Sequence, residues 1–128
     1  MCNLVDMVIC IAILIWAGII FGLSAIPNPP NLGSSITFSI VVHIVEYATL
    51  TFLVVVALYR TKHFSKLIIL FGTSLILVSS YAVSDEFHQS FVPGREATIQ
   101  DFIFDLLGIG LGMLIWKFGL FIKVRLTP

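Results

Sequence analysis

Four long, mostly apolar stretches dominate this sequence, each about the length that crosses a bilayer as a helix. They cover about residues 7–26, 38–59, 67–84 and 102–122. Lipid offers the backbone no hydrogen-bond partner, so a spanning segment must satisfy its own N–H and C=O groups. Runs of this length do so as helices. Composition removes the soluble alternative: 59% of the residues are hydrophobic, 11% are charged, and the mean hydropathy is +1.09. A chain of 128 residues has too little interior to hide that much apolar surface. The expectation is an all-α polytopic membrane protein, a four-transmembrane-helix bundle forming one domain over residues 1–128.

The breaks between spans are explicit. Pro27-Asn28-Pro29-Pro30-Asn31 cannot continue a helix. Arg60 to Lys66 forms a polar loop, and Val92-Pro93-Gly94-Arg95 interrupts the third connection. The first span is expected to be retained: Asp6 is its only flanking charge, and Ser24-Ala25-Ile26 is a poor cleavage site.

Lys and Arg near span ends set the orientation. Arg60, Lys62, Lys66, Lys117, Lys123 and Arg125 fall on one side, and Arg95 stands alone on the other. The expected protein is therefore a multi-pass plasma-membrane protein with both termini cytoplasmic. The acids sort oppositely: Glu46, Asp85, Glu86, Glu96, Asp101 and Asp105 fall at or just under the outer face. A formal net charge of zero thus hides a dipole across the membrane, and gives no pull toward nucleic acid.

Ionisable residues within spans are costly and usually face the protein interior or water. His43, Glu46 and Tyr47 share one face of the second span, and Asp101, Asp105, Gly108 and Gly112 share one face of the fourth. Tyr81, Asp85 and His88 align likewise if the third helix passes Ser84. Together with Arg95 these groups suggest a polar, acidic pocket opening outward. Glu86 is a further candidate for that pocket, although Glu86 and Glu96 both sit in loop context and also read as headgroup-layer charges. Arg95 is expected to fold back onto Asp85 and Asp101, since a guanidinium fork suits carboxylates. A proton shared with its neighbours is expected on Asp105.

His43, Glu46, Asp85, His88 and Asp101 are suitable metal ligands by type. No compact ligand motif is present, so no cofactor is expected, with a divalent metal as the alternative. Cys2 and Cys10 have no zinc-site spacing. Ser24, Ser84 and Ser90 lie in no GxSxG elbow. Gly18/Gly22 and Gly108/Gly112 form small-xxx-small pairs, expected to pack the first helix on the fourth.

Three stretches carry a family likeness. They are Phe21-Gly22-Leu23-Ser24-Ala25-Ile26-Pro27, then His43-Ile44-Val45-Glu46-Tyr47, and a long run from Asp85-Glu86-Phe87-His88-Gln89 to Pro93-Gly94-Arg95 with Asp101 and Gly108 beyond. Over almost its whole length the chain resembles the VanZ-like family of small membrane proteins. Two positions depart from the pattern. Ser39-Ile40 stands where many members carry Asp-Lys, and Asp105 stands where the family often has Asn. The second departure implies that this position needs a hydrogen-bonding side chain more than a charge.

The resemblance implies low-level resistance to teicoplanin-type glycopeptides, or a role in cell-envelope homeostasis. Gln89 enters the candidate site through the motif it shares. The first functional reading is a non-enzymatic pocket that binds or shields a ligand. Its partners would be the bilayer and a glycopeptide drug, a lipid-linked precursor or a cation. The alternative is a small enzyme acting on a lipid-linked headgroup, with His43 as base, Glu46 orienting it and Arg95 clamping an anion. A transporter is disfavoured, because four short unbroken spans lack the discontinuous helices of transporter sites.

Overall fold

The computed structural model describes residues 3–27, 36–61, 63–64, 66–95 and 98–126. They form α1 (Leu4–Ser24), α2 (Ile36–Arg60), α3 (Leu67–Gln89) and α4 (Ile99–Leu126). Each is long and apolar enough to cross a membrane. Cys2, Lys62, Glu96 and the prolines at 29 and 30 lie outside the described residues.

Helix ends follow local chemistry. Asn3 caps α1 by accepting from the Asp6 N–H at 2.9 Å, and the Asp6 side chain accepts from the Asn3 N–H. Between α3 and α4, the Arg95 N–H closes a turn onto the Val92 carbonyl at 3.1 Å. Gly94 occupies that turn at φ 79°, a backbone region that favours glycine. The third helix runs past Ser84 to Gln89, one turn beyond its apolar stretch. That turn carries Asp85, Glu86, His88 and Gln89 into the fold.

The helices alternate in direction. The start of α1 meets the end of α2 through Asp6 and Arg60, 2.6 Å apart. At the opposite end, the close of α1 meets the close of α3 through Ser24 and Asp85. The start of α2 meets the start of α4 through His43 and Asp105. The start of α1 and the end of α4 therefore lie at the Asp6–Arg60 end of the bundle.

α2 packs most closely on α4, and it also touches α1 and α3. Gly108 and Gly112 explain the α2–α4 contact. A Cβ added at Gly108 would sit 2.6 Å from the Ile44 carbonyl oxygen, and one at Gly112 would strike the Ala48 carbonyl oxygen. The small-xxx-small stripe thus brings backbone against backbone, as it does in lipid generally. The expected pairing of α1 with α4 is overturned. Gly18 and Gly22 have open space where a Cβ would stand, and no close backbone approach joins α1 to α4 among the described residues. The spacing named the correct face of α4, but the helix that fills it is α2.

Ile20, Tyr47, Leu50, Val78, Ala82 and Ile109 form a core in which all four helices take part. Val55, Leu70 and Trp116 form a second core toward the Asp6–Arg60 end. The Tyr59 and Phe71 rings meet Trp116 edge-on, with centroids 4.9 and 5.9 Å away. Large apolar side chains such as Leu14, Ile68, Phe87 and Phe118 cover the outside. That surface suits a hydrocarbon surrounding and is too continuous for water.

Candidate functional site

The α2–α4 contact fixes the centre of the site. One turn before Gly108, Asp105 is fully buried, and its Oδ1 lies 2.8 Å from His43 Nδ1. A proton must sit between them, and the carboxylate holds the ring's orientation. The other ring nitrogen, Nε2, stands 3.9 Å from Asp101 Oδ1, too far for a hydrogen bond. Asp101 is itself fixed at the start of α4. Its N–H donates to Thr98 Oγ1 at 3.1 Å, and the Thr98 hydroxyl donates to Asp101 Oδ2 at 2.7 Å.

A second group joins α1 to α3. The Ser24 hydroxyl donates to Asp85 Oδ2 at 2.7 Å, and Gln89 Nε2 donates to the same oxygen at 3.0 Å. Gln89 Nε2 also lies 3.2 Å from Ser24 Oγ. All three side chains are buried. Asp85 and Gln89 can share one acceptor because i and i+4 lie on one helix face. Two further bonds reach α1 or start from it. The Tyr81 hydroxyl donates to the Ala17 carbonyl at 2.6 Å, and Trp16 Nε1 donates to the Glu46 carbonyl at 2.9 Å.

Many polar atoms at this end of the bundle are buried without a partner among the described residues. They include Tyr47 Oη, Asp85 Oδ1, both oxygens of Glu86, His88 Nε2, Arg95 Nε and Asp105 Oδ2. Each such atom costs stability on the order of 1–3 kcal/mol unless something occupies the space beside it. His43, Glu86 and Asp105 each place a ligand-type atom within 4.8 Å of the others. Chemically, the arrangement can hold a cation, accept a hydrogen-bonding guest, or move a proton through His43.

The residues read from sequence divide across this geometry. His43, Asp101 and Asp105 come together as one group, and Asp85 and Gln89 as another. Tyr47 is buried in the core between them. Glu46 is half-buried on α2, but Asp105, not Glu46, orients His43. Arg95 does not bond Asp85 or Asp101. Its Nη2 donates to the Leu23 carbonyl at 2.7 Å, at the negative end of the α1 dipole. Backbone carbonyls exposed at a helix end satisfy a guanidinium without desolvating a carboxylate. Glu86, a pocket candidate that also reads as a headgroup-layer charge, has its carboxylate solvent-excluded inside α3's last turn. Ser24 reads in sequence as a serine outside any nucleophile elbow and as part of the first-helix likeness, and nothing in its sequence neighbourhood reveals Asp85 as its partner. Glu96 lies outside the described residues.

The sequence matches the VanZ/LLP1 family over residues 8–122. The chain belongs to that family. The VanZ/LLP1 match begins within α1 and ends within α4, so every residue of the polar group lies inside it. Comparison with curated proteins and with solved structures gives no match.

Proposed function

We propose that this VanZ/LLP1 protein resides in the plasma membrane with both termini cytoplasmic, and that its polar end is an outward-facing binding pocket. The guest would be a cation, the basic part of a glycopeptide drug, or a lipid-linked precursor headgroup. Binding or shielding it would lower susceptibility to teicoplanin-type drugs or adjust the cell envelope. One observation carries the reading: a buried His43–Asp105 pair among orphaned polar atoms, gathered at one end of an otherwise apolar bundle. The sidedness rests on Arg60, Lys66 and Lys117 lying toward the other end.

The test uses a susceptible bacterial host expressing the wild-type chain, His43→Ala or Asp105→Ala at matched membrane levels. Wild type should reduce cell-bound teicoplanin and raise the inhibitory concentration, and both variants should lose the effect. Equal susceptibility with and without the wild-type chain overturns the proposal. Sidedness has its own measurement. With Cys2 and Cys10 replaced, a membrane-impermeant thiol reagent should label a cysteine at Ser90 and spare one at Thr61.

The His43–Asp105 bond also favours a second reading, a small enzyme acting on a lipid-linked headgroup. A carboxylate fixed on one ring nitrogen leaves the other free to take a proton. Release of headgroup from a lipid-linked precursor by purified wild type, absent with His43→Gln, would establish it.

A further inference from the structure

The geometry points to a divalent-cation site formed by His43, Glu86 and Asp105, with Zn²⁺ or Mn²⁺ as its occupant. The inference rests on reading this end of the bundle as a binding pocket, and it names the pocket's resident guest.

Three observations converge. The first is distance. A ring nitrogen of His43 and one carboxylate oxygen each from Glu86 and Asp105 lie within 4.8 Å of one another. Two ligands of one ion stand at most about 4.4 Å apart, twice a bond of roughly 2.0–2.2 Å. Closure by a few tenths of an ångström suffices.

The second is the state of the oxygens. Asp105 is fully buried, with one oxygen on His43 and the other without any partner. Both Glu86 oxygens are likewise solvent-excluded and unpartnered. Bare carboxylate oxygens in an apolar bundle are among the costliest groups a fold can carry.

The third is charge. Two carboxylates and a neutral imidazole carry the charge that a divalent ion cancels. Among the described residues no Lys or Arg forms an ion pair with these acids. Arg95, the nearest candidate in sequence, donates to the Leu23 carbonyl instead.

The donor set selects the ion. Imidazole suits Zn²⁺ and other late first-row ions, while carboxylates also suit Mn²⁺. One nitrogen and two oxygens disfavour Ca²⁺ and Mg²⁺, which prefer all-oxygen shells. The three ligands come from three helices, α2, α3 and α4. The ion would therefore tie the bundle together at its polar end. Three protein ligands leave at least one position open, where water or an anionic oxygen can bind. Bound metal would thus neutralise Glu86 and Asp105 and offer its open position to the anionic oxygen of a phosphate-bearing headgroup.

Detergent-purified protein, stripped with chelator and dialysed, is titrated with Zn²⁺ alone and with Mn²⁺ alone by calorimetry. Bound metal is counted by mass spectrometry, and the melting temperature is followed in parallel. Wild type should bind about one equivalent of one of these ions and melt at a higher temperature with it. Asp105→Asn keeps an oxygen for the His43 bond but removes the charge. Asp105→Asn and Glu86→Gln should each lower the affinity at least tenfold while remaining folded. Asp6→Asn, at the other end of the bundle, should bind as wild type does. Folded wild type that takes up neither ion overturns the site, as do Glu86→Gln and Asp105→Asn proteins that bind as tightly as wild type. The drug assay separates the two proposals. Wild type that binds the ion yet leaves teicoplanin susceptibility unchanged defeats the resistance reading alone. Wild type that alters susceptibility while binding no ion defeats the metal site alone.

Discussion

Single side chains show how one residue's partner decides what its loss does. Asp85 Oδ2 receives hydrogen bonds from both Ser24 and Gln89. Ser24→Ala removes one donor and leaves the other, so it should lower stability by about 0.5–1.5 kcal/mol. Asp85→Ala removes the oxygen that accepts from both, leaving Gln89 only Ser24 Oγ, and should cost more than Ser24→Ala. Denaturant unfolding in detergent would rank the two, and equal losses would show that Gln89 contributes nothing. Asp105→Asn should keep the helix contact and the His43 bond, whereas Asp105→Leu should break the bond. The nitrogen shift of the His43 ring by NMR reads this difference directly. Part of this site is legible in the sequence. His43 and Asp105 are marked by their depth within apolar runs, where an ionisable group needs a reason. Their pairing is not marked, because it depends on how far each helix is rotated about its axis. Glu86 reads two ways in the sequence for a different reason: hydropathy falls before the helix ends, so a buried last turn looks like loop.

Between helices, closeness follows from missing atoms. Gly108 and Gly112 set α2 against α4, and either methyl added there would meet backbone oxygen. Backbone cannot swing aside as a side chain can. Gly108→Ala and Gly112→Ala should therefore each cost about 1–3 kcal/mol. Gly18→Ala and Gly22→Ala meet open space and should be neutral or slightly stabilising. A thermal-shift series in detergent checks all four, and silence at both Gly108 and Gly112 would refute the contact. Gly108 lies one turn from Asp105, so a wider gap there would also lengthen the 2.8 Å bond to His43. Helix number and order are legible in the sequence, because each apolar run must span the same hydrocarbon thickness, while α3 and α4 extend beyond their apolar runs. Neighbour choice is less so. A small-residue stripe shows which face is narrow, not which helix will fill it. α1 illustrates the remainder: it joins its neighbours largely through directional bonds from Trp16, Ser24, Tyr81 and Arg95. No periodicity in a uniformly apolar helix announces such bonds.

Taken whole, the molecule has unlike halves. Polar side chains gather where α1 and α3 end and where α2 and α4 begin, while Val55, Leu70 and Trp116 fill the other half. Buried Ser74 turns back onto its own helix, donating to the Leu70 carbonyl at 2.8 Å. At the far end the Asp6–Arg60 pair is about one-third exposed on each side chain. Such a solvated pair contributes little and should fade with added salt, so Arg60→Ala should barely move the melting temperature. The packed half has an electrical meaning. An ion seated beside His43 that moved toward Trp116 would shed its water and its ligands with nothing to replace them. Stripping a small ion of solvent costs several kcal/mol even in a relaxed protein. The packed half thus offers an ion no way through, and a planar bilayer carrying the bundle should conduct no better than bare lipid.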